Sequence, residues 1–90
     1  MYEIIFSTKF KKDYKLAIKR NMNMDLLRET IVRLADRETL APSYKDHPLQ
    51  GVYADCRECH LRPDWLLIYT LDENSQTLRL IATGSHNDLF

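Results

Sequence analysis

Tyr53-Ala-Asp-Cys-Arg-Glu-Cys-His-Leu61, Trp65-Leu-Leu-Ile-Tyr-Thr-Leu71 and Thr77-Leu-Arg-Leu-Ile-Ala-Thr83 are the stretches that decide the fold. Each is β-prone, and turn formers part them: Arg62-Pro-Asp64 and then Asp72-Glu-Asn-Ser-Gln76. Trp65–Leu71 is apolar on both faces, as a central strand is. The three runs therefore predict an antiparallel meander that ends at Gly84. Upstream, Tyr2–Phe6 is short, apolar and β-prone, so it reads as a first strand. Ser7 can cap a helix, because its hydroxyl accepts from a free N–H of the first turn. Phe10, Tyr14, Ala17 and Ile18 recur at the helical period and predict a helix over about 8–20. Asn21–Asp25 breaks it, with Asn23 or Asp25 as the next cap. Met24, Leu27, Ile31 and Leu34 predict a second helix over about 24–38. Residues 40–52 hold Pro42, Pro48 and Gly51 without a period and read as a loop. The result is an α+β fold: an N-terminal strand, a helical hairpin, then the meander. Both helices cover one sheet face and the other is left open. The 90 residues are read as one domain.

Composition narrows the function. A hydrophobic share of 44% belongs to a globular chain, not a disordered one. The net charge of zero hides an asymmetry. Residues 1–20 carry Lys9, Lys11, Lys12, Lys15, Lys19 and Arg20 against Glu3 and Asp13, while acidic residues exceed basic ones in the remainder. Bulk polyanion binding is thereby excluded, and any nucleic-acid contact must be local or supported by a larger partner. The longest apolar run, Trp65–Tyr69, is far too short for a bilayer, which needs about 20 residues. The sequence shows no secretory signal peptide. Its two cysteines are expected as reduced thiols in the cytoplasm.

Cys56-Arg-Glu-Cys59-His60 matches the C-x-x-C-H pattern of c-type haem attachment. The match falls inside a strand, where residues three apart face opposite ways about 10 Å apart. That geometry suits neither two thioether bonds to one porphyrin nor a disulfide. Zinc needs about four converging ligands, and no second pair stands at a suitable spacing. Neither haem, another cofactor nor a metal is expected. Cys59 reads as a core residue, and Cys56 as lying on the other face.

The three histidines all follow the helices: His47 in the loop, His60 at the end of a strand, and His86 after the last strand. Strand alternation puts Cys56, Glu58 and His60 on one face, and Asp64 sits in the turn beyond. Histidines distant in sequence can thus meet at one rim of the open face. Imidazoles suit general acid–base chemistry near neutral pH. Two of them, on opposite sides of a phosphodiester, would let a ribose 2′-OH attack and a 5′-oxygen leave.

Four ordered motifs sharpen this reading. They are Tyr44-Lys-Asp-His-Pro-Leu-Gln-Gly51, Glu58-x-His60, Pro63-Asp-Trp-x-Leu-Ile-Tyr69 and Thr83-Gly-Ser-His-x-Asp-Leu-Phe90. Together they resemble the YafQ-like toxins, a branch of the RelE/ParE superfamily of bacterial toxin–antitoxin modules. The resemblance covers the whole chain. It implies a ribosome-dependent mRNA endonuclease that needs no metal and is silenced by a cognate antitoxin. It also implies catalytic positions at His47, His60, Asp64, His86 and Phe90. One departure stands out: related toxins often carry arginine where this chain has Ala82. Lys45, Arg62 or a cationic histidine is expected to stabilise the phosphorane instead. Arg79 is not, because its odd separation from Ala82 places it on the opposite strand face.

The roles expected from this resemblance are His86 as general acid, and His60, oriented by Asp64, as base. His47 shares proton transfer or binds phosphate, and Phe90 stacks on a base. Glu58 lies on the right face as either a participant or a solvated strand residue. Lys11, Lys15 and Lys19 form a helical stripe that reads as a ribosomal-RNA contact. The alternative function is that of a non-catalytic ParE-like toxin that binds a protein such as gyrase. Such a binder has no need of three histidines near one rim.

Overall fold

The computed structural model describes residues 1–90. Strand β1 (Glu3–Phe6) leads into α1 (Thr8–Lys19) and α2 (Met24–Ala35). A short edge strand β2 (His47–Pro48) follows, then β3 (Arg57–Arg62), β4 (Trp65–Asp72), β5 (Thr77–Gly84) and a one-turn helix α3 (His86–Leu89). The sheet order is β1-β5-β4-β3-β2. β1 runs parallel to β5, and the other pairings are antiparallel. No helix is long and apolar enough to cross a membrane.

The caps explain where the helices start. Ser7 Oγ accepts from the Phe10 N–H, and Asn23 Oδ1 accepts from the Leu26 N–H. The second helix stops at Ala35, short of the expected residue 38. The Ala35 carbonyl is taken by the Tyr2 N–H, and Arg37 turns left-handed at φ 64°, so the chain leaves the helical path there. β3 begins at Arg57, four residues later than the period-two reading placed it. Gly51 at φ 72° opens a 3₁₀ turn through Tyr53, and the Leu49 N–H reaches across to the Cys56 carbonyl. The expected loop also holds β2 and a 3₁₀ turn at Pro42–Tyr44.

The two sheet faces have different covers. Trp65, Leu67 and Tyr69 of β4 join Cys59, Leu61, Leu78 and Leu80 beneath Phe10, Ala17, Leu27, Ile31 and Leu34 of the helices. Leu66 and Ile68 point the other way, into a smaller cluster with Ala82 and Leu89. That second face is not open, as the sequence led us to expect. Leu89 of α3, together with Leu49, Tyr53 and Cys56, covers it.

A bulge in β5 corrects a second expectation. Ile68 pairs with Ala82 and Tyr69 with Leu80, so Ile81 is extra and the strand's alternation slips by one. Arg79, opposite Thr70, therefore shares its face with Ala82. Simple parity assigned it to the other.

Candidate active site

The second face carries the histidines. His47 on β2 pairs in register with Glu58 on β3, and His60 lies two residues further on the same face. Glu58 is only 3% exposed. Its Oε2 lies 3.2 Å from His47 Nε2 and 3.5 Å from His60 Nε2, while Oε1 is buried without a partner. A buried carboxylate between two imidazoles gives each a place to hold a proton, since their N–H groups can donate to it when protonated. His47 Nδ1 sits against the Lys45 carbonyl. A carbonyl only accepts, so Nδ1 donates to it, and Nε2 meets Glu58 through a proton carried by one of those two groups.

The C-terminal segment completes the row. Ser85 caps α3 reciprocally with Asp88. The Asp88 carboxylate also accepts from Arg20, just past the end of α1, and that hydrogen bond holds it well below the usual carboxylate range. The pairing sets α3 at the end of β5. It brings the His86 ring to 6.4 Å from His60, and Phe90 to 5.5 Å from His86. The His47 and His60 rings are 6.1 Å apart. Phe90 stays 60% exposed, with its ring against the edge of Tyr53.

His47, His60, Asp64, His86 and Phe90 are thus brought to one rim. The partner expected for Asp64 is wrong, however. Its Oδ1 accepts from the backbone N–H of His86, and the carboxylate beside His60 is Glu58. The turn residue reaches the start of α3 because the end of β3 and the start of β4 lie next to the end of β5, where Leu66 pairs with Gly84. Strand alternation puts Glu58 on the face of His60, and its burial removes the reading as a solvated strand residue. Asp64's true partner had no such signal.

Lys45 and Arg62 line an open cavity of about 420 Å³ beside His60, with Tyr44 and Pro63. Neither cation has an ion-pair partner among the salt bridges of the fold. Ala82, by contrast, is fully buried under the second cluster, with Leu66 and Leu89 as its neighbours. Lys11 and Lys15 border an apolar groove with Phe6, Phe10, Tyr14 and Val32 on the helical side. With Lys19 they belong to α1, and the structure does not bring them to the histidines. The two cysteines face apart, as expected. Burial pushes the Cys59 thiol up to about 12, which makes it a poor nucleophile.

His47, Glu58 and His60 each offer one donor atom within 4.8 Å of the others. Two imidazoles and a carboxylate suit a borderline divalent cation, and the unpartnered Glu58 Oε1 leaves ligand capacity to spare. The sequence hid this set because its members come from two separated segments.

The family model for the YafQ toxin of bacterial type II toxin–antitoxin systems matches residues 2–90. The mRNA interferase toxin YafQ of Escherichia coli K12 is 42% identical over 89 residues, which is 98% of this chain and 95% of the relative. The crystal structure of a metal-bound toxin from Helicobacter pylori superposes with a TM-score of 0.94 at 47% identity, over 100% of both chains. The E. coli DinJ–YafQ complex gives 0.91 at 41% identity, over 100% of this chain and 99% of that one. With a family match across nearly every residue, and with the motif histidines gathered at one rim, this chain belongs to the YafQ family of bacterial type II toxin–antitoxin toxins.

Proposed function

We propose that the chain is an mRNA interferase that cuts messages presented by the ribosome, through attack of a ribose 2′-OH on the adjacent phosphate. The row of three imidazoles, two of them against buried Glu58, carries this reading. His60, beside Glu58, takes the 2′-OH proton. His86, at the far end of the row, gives a proton to the departing 5′-oxygen. His47 holds phosphate or relays a proton to Glu58. Asp64 acts through the backbone, fixing the residue from which the His86 ring projects. Phe90 offers an exposed ring on which a base can stack, a contact worth about 1–3 kcal/mol. Lys45 and Arg62 supply cationic charge beside His60, where the family often has arginine at the position of Ala82. Lys11, Lys15 and Lys19 contact ribosomal RNA from the helical side, which lets a chain of zero net charge reach its substrate.

The E. coli relative was crystallised with DinJ, and by likeness this chain has a cognate antitoxin of its own. The ribosome, as the presenting partner, places the activity in the cytoplasm. The Helicobacter relative was crystallised with metal, and here His47, Glu58 and His60 are the residues that would hold such an ion. A bound divalent cation supplies Lewis acidity and occupies imidazole lone pairs. The gyrase-binding alternative has no support in relatives that bear the name of mRNA interferases.

Single-turnover cleavage on programmed ribosomes, with end-group analysis, tests the reading. A 5′-hydroxyl and a 2′,3′-cyclic or 3′-phosphate are expected. Products with a 5′-phosphate would rule out 2′-OH attack.

A further inference from the structure

His47 stands on a strand of only two residues at the sheet edge, and two ladder positions are a weak hold on a ring that must be placed accurately. The residue before it supplies the hold. Asp46 Oδ1 accepts from Arg57 Nε at 2.9 Å, and Oδ2 accepts from the Tyr69 hydroxyl. Arg57 and Tyr69 are cross-strand partners on β3 and β4, on the helix-side face. Asp46 therefore grips the sheet from one side while His47 is displayed on the other. Burial and the Asp46 hydrogen bond both push the Tyr69 hydroxyl upward, so it remains a donor at neutral pH. Lys45, one residue earlier, sits in the left-handed region at φ 49°, the conformation in which its carbonyl meets His47 Nδ1. A non-glycine residue stays there only where its surroundings over-determine it. The two-point anchor at Asp46 is such a surrounding.

We infer that Asp46 is a positioning residue of the active site, holding Lys45 left-handed and His47 aimed at Glu58 through its bonds to Arg57 and Tyr69. It touches no substrate. It acts by holding Nδ1 as the donor to the Lys45 carbonyl and Nε2 as the nitrogen that shares a proton with Glu58. The inference rests on the reading above that His47 takes part in cleavage.

The test measures kcat and KM on programmed ribosomes, and the imidazole ¹H–¹⁵N spectrum of the free toxin, for Asp46→Asn, Tyr69→Phe and His47→Gln. The amide that Asp46→Asn introduces has one oxygen where the carboxylate has two, so it can serve one of the two donors but not both. We expect Asp46→Asn to lower kcat about 10- to 100-fold, the scale of a misplaced reacting group, with KM unchanged. The His47 signals should move from a fixed Nδ1–H pattern toward tautomer averaging, while those of His60 and His86 stay. Tyr69→Phe should shift both readouts the same way but less. It also decides the matter if Asp46→Asn fails to fold. Folded variants with wild-type kcat overturn the inference, and so does a fall in kcat with unmoved His47 signals. If His47→Gln is itself fully active, the catalytic reading of His47 fails instead.

Discussion

The two faces of the sheet do different work with different materials. The helical side is a continuous apolar cluster in which Phe10, Leu27, Leu67 and Leu80 have almost no exposure. The other side is covered by pieces: a one-turn helix, and the loop and 3₁₀ turn that lead into β3. Its apolar cluster is small, and its polar groups are held by side-chain contacts such as Asp64 to the His86 N–H and Asp88 to Arg20 and Ser85. Long elements resist local opening, whereas short ones held by few contacts open at low free energy. The fold concentrates its apolar burial on one face and leaves the histidines on the face built from the shorter elements.

That division can be broken in order of effect. Removing His86 should be the largest blow to function, lowering single-turnover cleavage about 10²–10⁴-fold with the melting curve unmoved. A folded, fully active His86→Ala variant would remove that residue from the mechanism. Leu67→Ala strikes the opposite face, where the residue is fully buried. It should cost about 2–5 kcal/mol in urea unfolding while the surviving folded molecules keep their rate. Leu89→Ala should invert this pattern. Leu89 is the apolar foot of α3, so its loss should cost less stability than Leu67→Ala and more activity, as His86 and Phe90 lose their seat. Equal ratios of stability to activity loss in the two variants would mean that the faces are not independent.

The smallest effect is one of pH. Asp88 is held below its ordinary range chiefly by the Arg20 hydrogen bond. A carboxylate depressed on folding contributes stability above its unfolded value and loses it as pH falls through the folded one. Acidification below the ordinary carboxylate range should therefore lower the protection factors of the Ser85 and Asp88 amides, taken against the intrinsic exchange rate at each pH, while that of Leu67 holds. Asp88→Asn should abolish that pH dependence.

The helical face was legible from sequence because burial leaves a period. Phe10 with Ala17, and Leu27 with Ile31 and Leu34, mark their stripes directly. The meander was legible for the same reason, with turn formers between its strands. The other face was not, since a single helical turn is too short to show a period and α3 passed for a tail. The bulge at Ile81 also defeats counting, because one unpaired residue reverses every parity argument that crosses it. The motif histidines were visible because their chemistry is distinctive. The partner of Asp64 depends on which strand ends adjoin, and that is a property of the closed sheet.

The parallel pairing of β1 with β5 has a consequence in time. Glu3 and Thr77 lie opposite each other yet are 74 residues apart in the chain. At about 5–20 residues per second, a ribosome needs about 4–15 s to make the intervening segment. Until then the first strand has no neighbour, the central strand lacks one flank, and the Gly84 end of β5 that seats α3 does not exist. The helical hairpin can form early, being local, but the row of imidazoles is among the last things the chain builds. A new chain thus lacks that row for most of its own synthesis, an interval in which a waiting partner could meet it.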